Sequence, residues 1–400
     1  MKILITLLSV LLLPPLPVAA DSSADEIVER YIAARGGVDA WRAVDTMAIR
    51  GRHVNFSDEN DFELLRQRPD HFRMRFTQLG NPVVFGHDAT GSWWRFPLFG
   101  FSWAWRTPGN DAVVLARLAD FEPALFDAHG KGHQVELIGE DEVDGTPTIA
   151  LRLTRDDGAT ETWHLDPETH LEVAVDETVW DLTQGPHDMN RRTYFDEFRA
   201  VDGVVIPHYM EQEYGARHVV IYVDNVDVNP DIDGDPFSMP PPRGMEALRT
   251  IAGTWDLTMS RPDPRSGEWV DAANADVSIE TALDGMILRE HYQSTADGGL
   301  TWVTRDWSWD RFREHYRIVV GDSFTGRLDI LEGTNAEDEW LVVDDVASGT
   351  SISMRGQVIH RQERIQIESP DRFVIERHRS IDGGESWQLE ERHTYDRSVP

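Results

Sequence analysis

The chain predicts a mainly β protein built of two antiparallel units. Three observations predict it. Apolar and polar residues alternate through most of residues 46–228, with helical periodicity confined to two stretches. Turn clusters such as Asp156-Asp157-Gly158 and Asp166-Pro167-Glu168-Thr169 punctuate that alternation. A proline-dense segment, Asn229 to Gly244, then separates it from about ten further strand-like segments.

The first twenty residues read as an export signal. Lys2 gives a short positive start, Ile3 to Leu13 an apolar run, and Val18-Ala19-Ala20 the small residues a signal peptidase accepts. The mature chain is expected to start near Asp21 and to be periplasmic. No later stretch is apolar enough to span a bilayer. Two domains are expected, over residues 21–243 and 244–400.

A helix follows the signal. Ser22 or Ser23 caps it, Asp25, Glu26 and Glu29 suit its positive end, and Ile27 with Tyr31 and Val28 with Ile32 form one apolar face. Gly36-Gly37 stops it. Strands are then expected at Thr46–Phe56, Phe62–Arg68, Phe72–Thr77, Pro82–His87 and Ser92–Pro97. A second helix over Asp111–Phe126 presents Val113, Val114, Leu118, Phe121 and Leu125. Alternation resumes in seven more segments between His133 and Val228.

Composition excludes several functions. A formal net charge of −33 repels nucleic acid and anionic lipid surfaces. The absence of cysteine removes disulfides, thiolate metal sites, cysteine nucleophiles and a lipid-attachment cysteine.

Arg66-Gln67-Arg68-Pro69-Asp70-His71-Phe72 opens a strand, and a hairpin from His87 to Pro97 returns almost wholly aromatic. This Arg-Pro-Asp-x-Phe turn and hairpin are joined by Val201-Asp202-Gly203-Val204 leading into Pro207, and by Phe237-x-Met239-x-Pro241. Together they resemble the periplasmic lipoprotein-carrier family of the LolA/LolB type, over most of residues 24–244. The resemblance implies a curved antiparallel half-barrel with a helical lid, holding acyl chains between the two. It also implies that Arg68 is the arginine that holds the lid over the empty cavity; an ordinary turn arginine is the alternative.

Phe72, Trp94, Phe96, Phe101, Trp103 and Trp105 are the candidate ligand wall. Alternation would put Trp94 with Phe96, and Phe101 with Trp103 and Trp105, on shared faces. Such rings offer a large apolar surface at low entropy cost, although core packing would select the same residues.

In the second domain a short helix, Met245–Ile251, precedes Gly253-Thr254-Trp255. This G-x-W signature resembles the first strand of lipocalin-like barrels, which implies a structural role for Gly253 and for Trp255 as a plug of the closed end. Leu248 to Arg397 also resembles a bacterial lipocalin-like family of unassigned function.

Other patterns are weaker. Thr295 to Trp302 and Ser380 to Trp387 fit the Asp-box turn of sialidase propellers, but without propeller repeats they predict hairpins. Asn229 to Gly234 opens like a calcium loop, yet its twelfth position is Pro240. His129 and His133 have zinc spacing, but Gly130 and Gly132 undermine the helix it would need. No metal or cofactor is expected. The sequence thus predicts an exported carrier or binding protein for a hydrophobic ligand, a lipid or acylated envelope component, with an envelope protein as a further partner. The rivals are an envelope hydrolase acting on glycan or lipid, and a docking protein without a ligand.

Overall fold

A computed structural model describes residues 23–55, 57–100, 102–107, 109–180, 188–295, 299–335 and 340–398. The expected export signal and Phe101 lie outside them. The chain divides into two compact units between Met239 and Pro240.

The first unit opens with α1 (Ala24–Ala34), whose cap is Ser23: its hydroxyl accepts from the Glu26 amide while Glu26 accepts from the Ser23 amide. Ile27 and Tyr31 are its buried face. A five-residue helix, α2 (Val38–Arg42), buries Trp41. Gly36 is required between them. Its φ is +105°, and a Cβ there would meet the Gly203 carbonyl oxygen at 2.1 Å.

Thirteen strands form one curved antiparallel sheet. They are β1 (Thr46–Asn55), β2 (Asp58–Gln67), β3 (His71–Gln78), β4 (Asn81–Asp88), β5 (Gly91–Arg95), β6 (Trp105–Arg106), β7 (Gln134–Val143), β8 (Thr146–Thr154), β9 (Thr160–Leu165), β10 (Glu172–Trp180), β11 (Asp188–Val201), β12 (Val204–Tyr214) and β13 (Arg217–Val228). Neighbours in sequence pair except β6 and β7, which form the two edges, and β1 also pairs with β13, from Met47 opposite Val228 to Asn55 opposite Val219. Bulges at Arg50/Gly51 and Glu172/Ala174 bend the ladder. Helix α3 (Gly109–Leu118) lies between β6 and β7 in the chain.

Two expectations need correction here. The second helix ends at Leu118, eight residues short of Phe126, because Pro123 has no amide to continue it. Phe121 and Leu125 are nevertheless buried. The strand expected at Ser92–Pro97 is also shorter. Strand β5 stops at Arg95, Pro97–Phe99 forms a 3-10 turn, and Gly100 follows at φ 95°. Trp105 then pairs back with Trp94.

In the second unit two 3-10 turns, Arg243–Met245 and Leu248–Ile251, stand where one short helix was expected. The Thr250 hydroxyl donates to the Ala247 carbonyl over 2.6 Å, which favours this tighter winding. The strands are β14 (Gly253–Pro262), β15 (Trp269–Ala282), β16 (Ile287–Ser294), β17 (Thr301–Asp310), β18 (His315–Asp322), β19 (Leu328–Asn335), β20 (Leu341–Asp344), β21 (Ile352–Met354), β22 (Gln357–Ser369), β23 (Arg372–Ser380) and β24 (Gln388–Arg397). Pairing of β20 with β22 closes ten of them into a barrel and leaves β21 on its edge. Closure removes the exposed edges an open sheet of this size would present. Among the described residues, no helix is long and apolar enough to cross a membrane.

Candidate functional site

The concave face of the first sheet encloses a cavity of about 310 Å³. Inward-pointing residues of β1, β2, β10 and β11 supply its apolar wall, among them Ile49, Leu64, Val175, Val179 and Phe195. Val114 and Leu118 of α3 and the following Phe121–Ala124 segment cover it. That volume lies at the lower end of the roughly 300–1,000 Å³ typical of small-molecule sites.

Charged residues also reach this cavity, and most are paired. Arg35 donates to Glu172, to the Tyr31 hydroxyl at 3.1 Å and to the Val205 carbonyl at 2.8 Å. Burial opposes the Arg35 charge, but Glu172 outweighs it and the guanidinium is held charged. Arg155 donates to Glu161 at 2.5 Å, and the other Glu161 oxygen accepts from the Trp163 indole at 2.8 Å. Arg191 donates to Glu177 at 2.7 Å.

Two arginines of the β2 end hold the cover instead. Arg66 donates to the backbone carbonyls of Leu118 (3.1 Å), Phe121 (3.2 Å) and Asp120 (3.3 Å). Arg68 donates to the carbonyls of Val44 (2.7 Å) and Trp41 (2.8 Å) and to Glu122 Oε1 (2.6 Å), and lies over the Phe121 ring. Arg68 therefore contacts the cover from outside the cavity lining. Sequence reasoning picked out Arg68 through its proline, and missed Arg66 because nothing local marks an arginine that caps a distant segment's carbonyls.

The other candidate residues lie elsewhere. Phe72 is buried against Leu115 and Ala119. Trp94 and Phe96 are buried and pack with Phe85, and Trp105 meets Trp94 edge-on at 6.0 Å. Trp103 is half-buried. None of these lines the 310 Å³ cavity, whose aromatic members are Trp41, Phe121, Trp163 and Phe195. The reason is their place in the sheet: β3, β5 and β6 lie towards its β6 edge, whereas the cavity lies over β1, β2, β10 and β11. Trp93, which was no candidate, is fully buried and donates to the Phe237 carbonyl at 2.7 Å.

Residues of the metal-like patterns have partners within the chain. His129 reaches Asp25 at 3.1 Å, while His133 accepts from the Asp156 amide. The Asn229 side chain accepts from the Asp45 amide at 2.7 Å and donates to the Ala43 carbonyl, a structural clasp. In the second Asp box the Asp382 carboxylate accepts from the Ser386 amide at 3.0 Å, closing a hairpin turn. The aspartate of the first box lies outside the described residues.

The barrel interior is layered. At one end Trp255 is 1 % exposed, donates to the Ile251 carbonyl at 2.8 Å and meets Phe373 edge-on. Gly253 has φ +139°, and a Cβ there would meet Arg397 Nη1 at 2.5 Å. A charged belt crosses the middle. Arg305 donates to Glu290 and to Glu363, each at 3.0 Å, and Tyr395 donates to Glu290 at 2.8 Å. Beyond it the barrel opens into a second cavity, also of about 310 Å³.

Residues 241–397 match the family model described as a protein of unknown function, DUF1579. That stretch coincides with the second compact unit. No curated protein matches the chain. Among solved structures, a DUF1329 family protein from Desulfovibrio piger is similar at 12 % identity, over 54 % of this chain and 98 % of its own, with a TM-score of 0.39. An S-type phycobiliprotein lyase from Guillardia theta is similar at 14 % identity over 39 % of this chain and 93 % of its own, with a TM-score of 0.27. The MucA/MucB complex structure from Pseudomonas aeruginosa is similar at 12 % identity over 93 % and 94 %, with a TM-score of 0.20.

Proposed function

We propose that the first unit binds the apolar part of an amphiphile, a lipid or an acylated envelope component, as a carrier in the periplasm. One observation carries this: a cavity of about 310 Å³ with more apolar than polar lining on the concave face of the sheet, under a cover held by side chains rather than built into the ladder. An acyl chain leaving about 200 Å² of its surface in that wall would gain about 5 kcal/mol. The reading is of binding without catalysis, because Arg35, Arg155 and Arg191 meet carboxylates already engaged with them. Arg68 biases the cover between closed and open. Lipoprotein trafficking and an envelope protein partner extend the same reading; the leader-like first twenty residues support export.

The test is organic extraction and mass spectrometry of the purified protein, with binding of anilinonaphthalene sulfonate as readout. The parent should carry or take up an amphiphile. Ile49→Trp, which fills the cavity from half-buried β1, should lower dye affinity at least tenfold with unchanged circular dichroism. A parent that never takes up a lipophilic compound, or a filled variant that binds as before, would overturn the reading.

A further inference from the structure

The second unit's cavity has the opposite chemistry to the first. Its floor is the ionic belt: Arg305 and Glu363 beside Tyr292 and His393, all buried within the barrel. An acyl chain seated there would lie against charged groups and strip them of what water they have, without returning a hydrogen bond. The barrel is therefore no second greasy calyx.

Charge and surface decide what it would take. Among the described residues the wall carries five carboxylates, from Asp322, Asp329, Glu363, Glu390 and Glu391. Against them stand three guanidiniums, from Arg305, Arg361 and Arg377. Each guanidinium is already held: Arg361 by Asp329 at 2.7 Å, Arg377 by Glu391 at 2.7 Å, and Arg305 by the belt. His393 is buried, and burial keeps it neutral. Glu391 is held ionised at about 2 by its bond to His393, with Arg377 adding to the effect. Arg327 also meets Asp329, and Arg379 meets Glu390 at 3.1 Å, so among the five carboxylates Asp322 at the mouth is the one that makes no ion pair. It sets a negative charge there in a chain that is itself strongly acidic, which disfavours an anion.

At the mouth an aromatic ring stands ready. Phe324 lines the cavity yet is 71 % exposed, on the turn between β18 and β19. Asp322 fixes that turn, accepting from the Thr325 amide at 2.6 Å and the Thr325 hydroxyl at 2.8 Å. The Asp322 carboxylate beside the Phe324 ring on one turn suits a positive nitrogen, through charge attraction and the ring's negative face together.

We propose that the barrel of the second unit binds a small organic cation, an amine or quaternary ammonium compound, through the mouth beside Phe324. The site is independent of the first cavity.

Calorimetric titration of the full chain at low ionic strength tests this, with choline and putrescine as quaternary and primary ammonium probes. At least one should bind saturably. Dimethylbutanol, the neutral carbon isostere of choline, should bind about tenfold more weakly than choline or not at all. Phe324→Ala and Glu390→Gln change exposed or rim side chains, so the unfolding midpoint should hold while cation affinity falls several-fold. Saturating the first cavity with dye should leave cation binding unchanged. Absence of saturable binding by both probes, equal binding of the isostere, unchanged affinity in both variants, or displacement by dye would each overturn the proposal.

Discussion

Arg68 Nη2 donates to Glu122 Oε1 over 2.6 Å, tying the end of β2 to the segment that covers the first cavity. The same guanidinium reaches the carbonyls of Val44 and Trp41, so one side chain clamps three parts of the chain.

Arg68→Ala should therefore loosen the cover more than the sheet. A charge-assisted bond of this kind contributes about 1.5–3 kcal/mol, and losing it should speed dye release in stopped-flow displacement. A double-mutant cycle with Glu122→Gln should show coupling of about 1 kcal/mol in urea melts. Unchanged release kinetics in Arg68→Ala would remove the tether from the account.

Glu172→Ala should be costlier. It leaves Arg35 buried without its carboxylate, and breaking such a pair typically loses about 3–5 kcal/mol. Tyr31→Phe removes only one acceptor for Arg35 and should lose about 1 kcal/mol. Denaturant midpoints of the two variants order these effects.

Trp255→Ala should destabilise the barrel by about 3–5 kcal/mol, the usual cost of emptying a buried tryptophan site. Gly253→Ala should also destabilise it, because it forces a side chain into a φ of +139° and against Arg397. Arg397 lies 4.3 Å from the Trp255 ring, so the two sites are coupled rather than additive. Thermal melts of the singles and the double would show this.

The barrel should weaken on acidification, in two stages. His393 has a folded pKa lowered by burial, so below its ordinary 6.5 the unfolded chain takes up a proton that the folded chain refuses. Glu391 is held at about 2 against an ordinary 4.5. Its contribution, on the order of 3 kcal/mol, is fully present above pH 4.5 and is lost as pH falls towards 2. Urea midpoints followed from pH 7 to pH 2 should fall in both ranges, and His393→Gln should flatten the upper one.

Much of this protein could be read from local order. Alternation placed β8 at Thr146–Thr154 and β9 at Thr160–Leu165, since strand period and turn residues act over a few positions. The Asp-Gly turn at 202–203 appears as the β11–β12 hairpin, with Val201 opposite Val204. Ser23 and Glu26 formed their capping box for the same reason: every partner lies within one helical turn.

What only the tertiary structure decided are the insides of the two sheets. Arg305, Glu290 and Glu363 sit on alternating strands where charged residues normally face water, so their inward direction is visible only once the barrel has closed and set the register. Phe96 and Trp94 look like a ligand wall until the strand order sets β5 near one edge of the sheet, apart from the cavity, where both rings are buried. Arg66 becomes a clasp only because residues 118–121 return to it from more than fifty positions away. Short-range chemistry follows from neighbouring residues, whereas a cavity belongs to surfaces that the chain brings together only after it has folded.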